Sequence, residues 1–173
     1  NELPKESDNT GANKQHLYLV QPEESFGARI KAAETLIRQQ QSCPIIFIGS
    51  DAPELDADSY QQAALTLETY DVVLAPATDG GVTLLGIKDS WPELEKLPWG
   101  TSKLCEALLT KCTAAGLSVG FIDTYSDVDT VDDLFRLRHS LAKDPRLQQQ
   151  NLAQDLRKIL PDVTAVSYTH LTL

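Results

Sequence analysis

The chain has 173 residues, 42% of them hydrophobic and 23% charged, with a formal net charge of −10. Such a length supports a single domain with its own core, so no disulfide staple is required. The acid excess, without any basic cluster, excludes a face that binds nucleic acid, which needs cations to displace counterions from phosphates, and it also opposes an anionic membrane surface.

Residues 1–15, NELPKESDNTGANKQ, are polar and rich in turn formers and read as a loop. HLYLV is apolar and reads as a short strand. From Gly27 a helix is predicted, with Phe26, Ile30, Ala33 and Ile37 at helical spacing. Pro44 closes the next loop, and IIFIG (Ile45 to Gly49) reads as a buried strand. Tyr60, Ala63, Ala64 and Leu67 mark a second helix. DVVLAPA is a strand, Thr78 to Gly81 a turn, and VTLLGIK a strand too close behind for a helical crossover, so it is antiparallel or leaves the main sheet.

Thr101 or Ser102 is expected to cap a helix with the stripe Cys105, Leu108, Leu109 and Cys112. That stripe makes both cysteines core residues. The three cysteines show no C-x-x-C spacing, which argues against a disulfide framework or a zinc knuckle. Gly116 ends the helix and LSVGFID is a strand. Thr130 with Asp133 resembles a capping box for a helix through Leu134, Leu137 and Leu141, and a last helix uses Leu152, Leu156, Ile159 and Leu160. Apolar strands alternating with helices predict an α/β fold, a mostly parallel sheet with helices on both faces. Neither a signal peptide nor a membrane-length apolar run is present, so the expected location is cytoplasmic.

Ligands of open α/β sheets bind outside the carboxyl ends of the strands. Two acidic groups fall there: Asp51 in IIFIGSDAPEL, and the run DVDTVDD from Asp127 to Asp133. Carboxylates from two strand ends are able to share a hard cation and present it to a diphosphate. Asp51 equally suits a cap for the turn at Ala52 and Pro53, and Asp132 and Asp133 suit the first turn of a helix, where acid favours the dipole. Asp127 and Asp129 precede that helix and are less well explained by it. DVDTV also matches the short signature of haloacid-dehalogenase-type phosphatases, but there the first Asp directly follows an early strand, whereas Tyr125 and Ser126 intervene here. A calcium loop of EF-hand type fails as well. Counting from Asp127, its sixth and twelfth positions hold Asp132 and Arg138 where Gly and Glu are needed.

Four blocks in order, GSDAPEL, DVVLAPATDGGVTLLGI, LPWGTSKL and DVDTVDDL, resemble a family of small bacterial GT-A-fold, glycosyltransferase-like proteins of the radical-SAM/selenodomain-associated transferase type. These are distant relatives of molybdenum-cofactor guanylyltransferase and 2-phospho-lactate guanylyltransferase. The resemblance covers about residues 21–134. It implies a nucleotide-diphospho-sugar transferase-like fold within one domain over residues 1–160, its first βα unit lacking. It also implies that Asp51 is a metal-binding, catalytic acid, with Asp129, or its rival Asp127, as the second acid at an Mg²⁺ or Mn²⁺ ion. Thr78, Asp79, Gly80 and Gly81 match a loop beside the sugar or acceptor pocket. Trp99, Gly100 and Thr101 match a pocket edge, with Lys103 near a phosphate.

Three departures stand out. Val82 occupies a position where an aromatic is expected, the nucleotide loop has no counterpart, and VSYTHLTL within residues 161–173 looks foreign to the fold. The leading expectation is a metal-dependent transferase that moves a sugar from a nucleotide-sugar donor to a small-molecule acceptor. Its rivals are a nucleotidyltransferase acting on a nucleoside triphosphate and a nucleotide-binding module without turnover.

Overall fold

The computed structural model describes residues 23–142 and 146–160. The HLYLV run and residues 161–173 lie outside them. The order is α1 (Phe26–Gln40), β1 (Ile45–Ile48), α2 (Ala57–Thr69), β2 (Val72–Pro76), β3 (Val82–Ile87), α3 (Leu104–Ala114), β4 (Val119–Phe121), α4 (Val131–Leu141) and α5 (Leu147–Ile159).

Among the described residues the sheet has four strands in the order β1-β3-β2-β4. Its pairing corrects the expectation of a mostly parallel sheet. β3 pairs antiparallel with both β1 and β2, and only β2 and β4 are parallel, so the sheet is mixed. The cause is a short turn. Ala77 N–H donates to Gly81 O at 3.0 Å, closing residues 77–81 into a hairpin, and so few residues cannot form the crossover that a parallel neighbour needs. β3 then lies between β1 and β2 and separates two strands that point the same way.

Period-two alternation distributes the strands' side chains over two cores. Val72 and Leu74 of β2, with Leu85 and Ile87 of β3, pack against Ile30 of α1 and against Leu104, Leu108 and Cys112 of α3. Val73, Ala75 and Leu84 face the other way, onto Ala63 and Leu67 of α2. Helices on both faces are thus observed. α4 and α5 form a third core from Leu137, Leu141, Ala153, Leu156 and Leu160.

The helix ends follow local chemistry. Ser25 caps α1, and capping boxes Asp56/Ser59 and Thr130/Asp133 open α2 and α4. The first two signals escaped the sequence reading, which began α2 only at its apolar stripe. α3 starts later than expected. Lys103 stands at its cap without a side-chain bond, while the Thr101 hydroxyl accepts from Lys103 N–H at 3.3 Å in the preceding turn. Cys112 is fully buried and burial pushes its thiol up to about 11, in keeping with a core role. No helix of the described residues is long and apolar enough to cross a membrane.

Candidate functional site

β1, β2 and β4 run in one direction, so their carboxyl ends open on the same edge of the sheet. The segments that leave these three ends are bound to one another. Tyr125 N–H donates to Pro76 O, and Thr78 N–H donates to Tyr125 O, both at 3.0 Å. On the other side of the same segment Val128 N–H donates to Asp51 O at 2.9 Å. Residues 125–128 therefore lie between the turn after β2 and the loop after β1.

This lacing brings Asp79, Asp127 and Asp129 together, with one carboxylate oxygen from each lying within 4.8 Å of the others. Asp127 and Asp129 are two residues apart and both line the cavity at this edge, while Val128 between them packs on the α4–α5 core. Asp79 is held locally: its Oδ1 accepts from Gly81 N–H at 2.7 Å. Burial, together with the neighbouring carboxylates of Asp79, Asp129 and Asp51, raises the Asp127 carboxyl above its usual range. Asp51 lines the same cavity but stands outside the close trio. Three carboxylates at such spacing suit a hard divalent cation with oxygen preference, Mg²⁺ or Mn²⁺.

The cavity has a volume of about 720 Å³. Ile30, Leu85 and Leu104 give it an apolar wall, and Phe26, Arg29 and Trp99 line the part supplied by α1 and the 98–101 turn. Phe26 is 45% exposed and its ring lies 4.8 Å from that of Trp99, at 58°. The Arg29 guanidinium lies 5.1 Å from the Phe26 ring centre. The Trp99 indole N–H donates to Leu94 O at 2.9 Å, so the ring is anchored as well as partly exposed.

The remaining expected site residues divide. Gly81 and Thr101 line the cavity with Asp51, Asp79, Trp99, Asp127 and Asp129. Thr78, Gly80 and Lys103 are not among its lining residues. Gly80 has a packing duty instead. Its φ is +96°, and a Cβ there would stand 2.2 Å from Ser102 O, so glycine lets this turn close onto the start of α3. Val82 does line the cavity, but aromatic surface comes from Phe26 and Trp99 rather than from that position. Phe26 and Arg29 were missed as site residues, because Phe26 fits the apolar stripe of α1 and no local spacing distinguishes Arg29.

The sequence profile of a family described as an uncharacterized protein conserved in bacteria (DUF2064) matches residues 2–101. No curated protein shows significant similarity to the chain. In structure the chain is similar to a "putative nucleotide-diphospho-sugar transferase" from Desulfovibrio desulfuricans G20, with a TM-score of 0.65 and 26% identity over 80% of this chain. The chain spans 64% of the length of that protein.

Proposed function

The chain belongs to the bacterial family DUF2064, and from that membership and its acidic edge we propose a metal-dependent transferase that uses a nucleotide-sugar donor. The observation that carries this reading is the convergence of Asp79, Asp127 and Asp129, from two separate segments, at a cavity of about 720 Å³ also lined by Asp51. A cavity of that size suits a small-molecule ligand. The coarser statement, a transferase of GT-A type, draws support from the similarity to the Desulfovibrio protein and its printed description.

Asp79, Asp127 and Asp129 would hold Mg²⁺ or Mn²⁺, with Asp51 adding negative charge at the same edge. Held there, such an ion would supply positive charge to neutralise a diphosphate and the charge that develops on a leaving group. The protein's own part is to hold the carboxylates in place. The Gly81 N–H fixes Asp79, and the Asp51 carbonyl fixes the backbone between Asp127 and Asp129. Burial first, and then the neighbouring carboxylates, raise the Asp127 carboxyl, and a divalent cation would offset the repulsion among these acids. The apolar wall of Ile30, Leu85 and Leu104 keeps water from that side, and Phe26 and Trp99 offer aromatic surface to a sugar or base.

Calorimetric titration with Mn²⁺ tests the reading. Asp127→Asn is expected to weaken Mn²⁺ binding by at least about tenfold, the scale on which even outer-shell changes act. Unchanged binding would remove the metal assignment. Product analysis with nucleotide-sugars then decides the reaction, since glycosyl transfer releases a nucleoside diphosphate whereas nucleotidyl transfer from a triphosphate releases pyrophosphate.

A further inference from the structure

Glu54 stands in the loop after β1, three residues beyond Asp51, and takes no part in the acidic trio. Both of its carboxylate oxygens are engaged. Oε2 accepts from Ser126 N–H at 3.2 Å, and Oε1 accepts from the Ser140 hydroxyl at 2.7 Å. The first bond seizes the backbone immediately before Asp127, and the second seizes the last turn of α4, the helix that begins after Asp129. Glu54 thus grips the aspartate-bearing segment ahead of Asp127 and, through α4, beyond Asp129.

The loop that carries Glu54 is itself anchored. Gly49 N–H donates to Thr83 O at 3.0 Å, and Leu55 N–H donates to Ala52 O at 3.1 Å. Ala52 and Leu55 are buried in the α2-side core, and Asp56 caps α2. A side chain based on so fixed a loop is able to transmit that fixity. Val128 N–H is already bound to Asp51 O, so Ser126 N–H is the second attachment of residues 125–129 to the same loop. The other attachment, at Val128, lies one residue past Asp127, so Ser126 holds the side of Asp127 that Val128 does not. A carboxylate accepting a backbone N–H is also among the stronger hydrogen bonds, because its acceptor is charged.

We infer that Glu54 is a positioning residue: it touches no ligand and sets where Asp127 and Asp129 present their carboxylates. The inference rests on the cation site proposed above and adds to it a determinant outside the trio. Outer-shell partners of this kind typically change metal affinity by about 10- to 100-fold when lost.

The test is Mn²⁺ titration by calorimetry of the full chain and its variants, with thermal melting recorded alongside. Glu54→Ala, which loses both bonds, is expected to weaken Mn²⁺ binding by about tenfold or more. Glu54→Gln should restore it to within about threefold of the parent, because an amide oxygen still accepts from Ser126 N–H and the amide NH₂ is able to donate to the Ser140 hydroxyl. Ser140→Ala, which removes only the α4 contact, should have a smaller effect than Glu54→Ala. If Glu54→Ala fails to fold, Glu54→Asp takes its place. One methylene shorter, its carboxylate cannot span both partners, and a loss of about threefold or more is expected. A purely structural role would lower the melting temperature and leave the Mn²⁺ affinity of the folded protein as in the parent, which overturns the inference. Parent protein that binds no Mn²⁺ overturns the cation site and this inference together, whereas parent binding matched by Glu54→Ala or Glu54→Asp overturns this inference alone.

Discussion

Gly49 closes β1 without a side chain, and the space is taken by the Asp51 carboxylate. A Cβ there would stand 2.4 Å from Asp51 Oδ1. The obstructing atom is the free end of a side chain, so Gly49→Ala is expected to spare the backbone and turn Asp51 aside. Stability should fall by no more than about 1 kcal/mol, within the range of mild substitutions. If Asp51 contributes to the cation site, Mn²⁺ affinity falls, and Gly49→Ala adds little further loss in an Asp51→Asn background, as expected when two changes act through one group. A full additional loss in the double variant would show that Gly49 acts by another route. Glu34 is a second residue with consequences. It is 2% exposed, accepts from Lys31 Nζ at 2.9 Å and Arg38 Nε at 3.0 Å, and receives Trp91 N–H at 3.3 Å. Lys31 also donates to Trp91 O at 2.7 Å, so the group ties α1 to the segment after β3. Glu34→Ala strands the Trp91 N–H and takes the carboxylate from Lys31 and Arg38, which keep their bonds to Ser90, Trp91 O, Cys43 O and Lys88 O. The Lys31 and Arg38 side chains are 34% and 24% exposed, and solvent screens part of the loss. A cost of about 2 kcal/mol is expected, below the usual figure for a fully buried pair, and urea unfolding will measure it. A change under about 0.5 kcal/mol would show that the cluster contributes little.

α4 shows how a terminus is written into an element. The Asp133 carboxylate accepts from Thr130 N–H at 2.7 Å and from the Thr130 hydroxyl at 2.6 Å, and Thr130 Oγ1 accepts from Asp133 N–H at 3.3 Å. Thr130→Ala is expected to cost about 1 kcal/mol, the usual scale of a lost N-cap. The Thr130 hydroxyl first, then its N–H and Arg136, lower the Asp133 carboxyl to about 2. A carboxylate held below its unfolded value binds protons less readily in the folded state. Its contribution to stability is therefore complete above the ordinary carboxylate range and is lost as pH falls towards 2. Urea midpoints of the parent and of Asp133→Asn should thus differ at pH 5 to 7 and converge on acidification to about pH 2. A gap that is constant with pH would show that the interaction does not depend on the ionised carboxylate.

At the scale of the molecule, order is concentrated in the middle of the sheet. β2 and β3 are each paired on both sides, and Val72, Val73, Leu74, Leu84 and Ile87 are wholly enclosed. α4 and α5 pack mainly on each other and have their own core, joined to the rest by Glu54–Ser140, by the Arg146–Asp56 ion pair and by residues 125–128. Stability need not be uniform in such an arrangement, and peripheral units open at lower free energy than a central core. Hydrogen exchange is expected to be slowest in β2 and β3 and clearly faster in α4 and α5. Equal protection of the helix pair and the central strands would show that the three cores open as one.

Local chemistry was enough to announce α1, the start of α4, the core cysteines and the acids of GSDAPEL and DVDTVDD. Those features depend on helical spacing, on one cap residue and on charge beside a strand end, all of which lie within a few residues of one another. The shortness of residues 77–81 even limited β3 to an antiparallel course or an exit from the sheet. Strand order is different. Whether β3 stayed in the sheet, and between which neighbours, depends on which edges meet in space, and the answer made the pairing mixed. The membership of the acidic trio was decided at the same level. Asp79 is remote in sequence from Asp127, and only the bonds of Tyr125 to Pro76 and Thr78 bring their segments side by side. Glu54 shows the limit most clearly: its two partners lie 72 and 86 residues away, and no periodicity or motif records a contact made by folding alone.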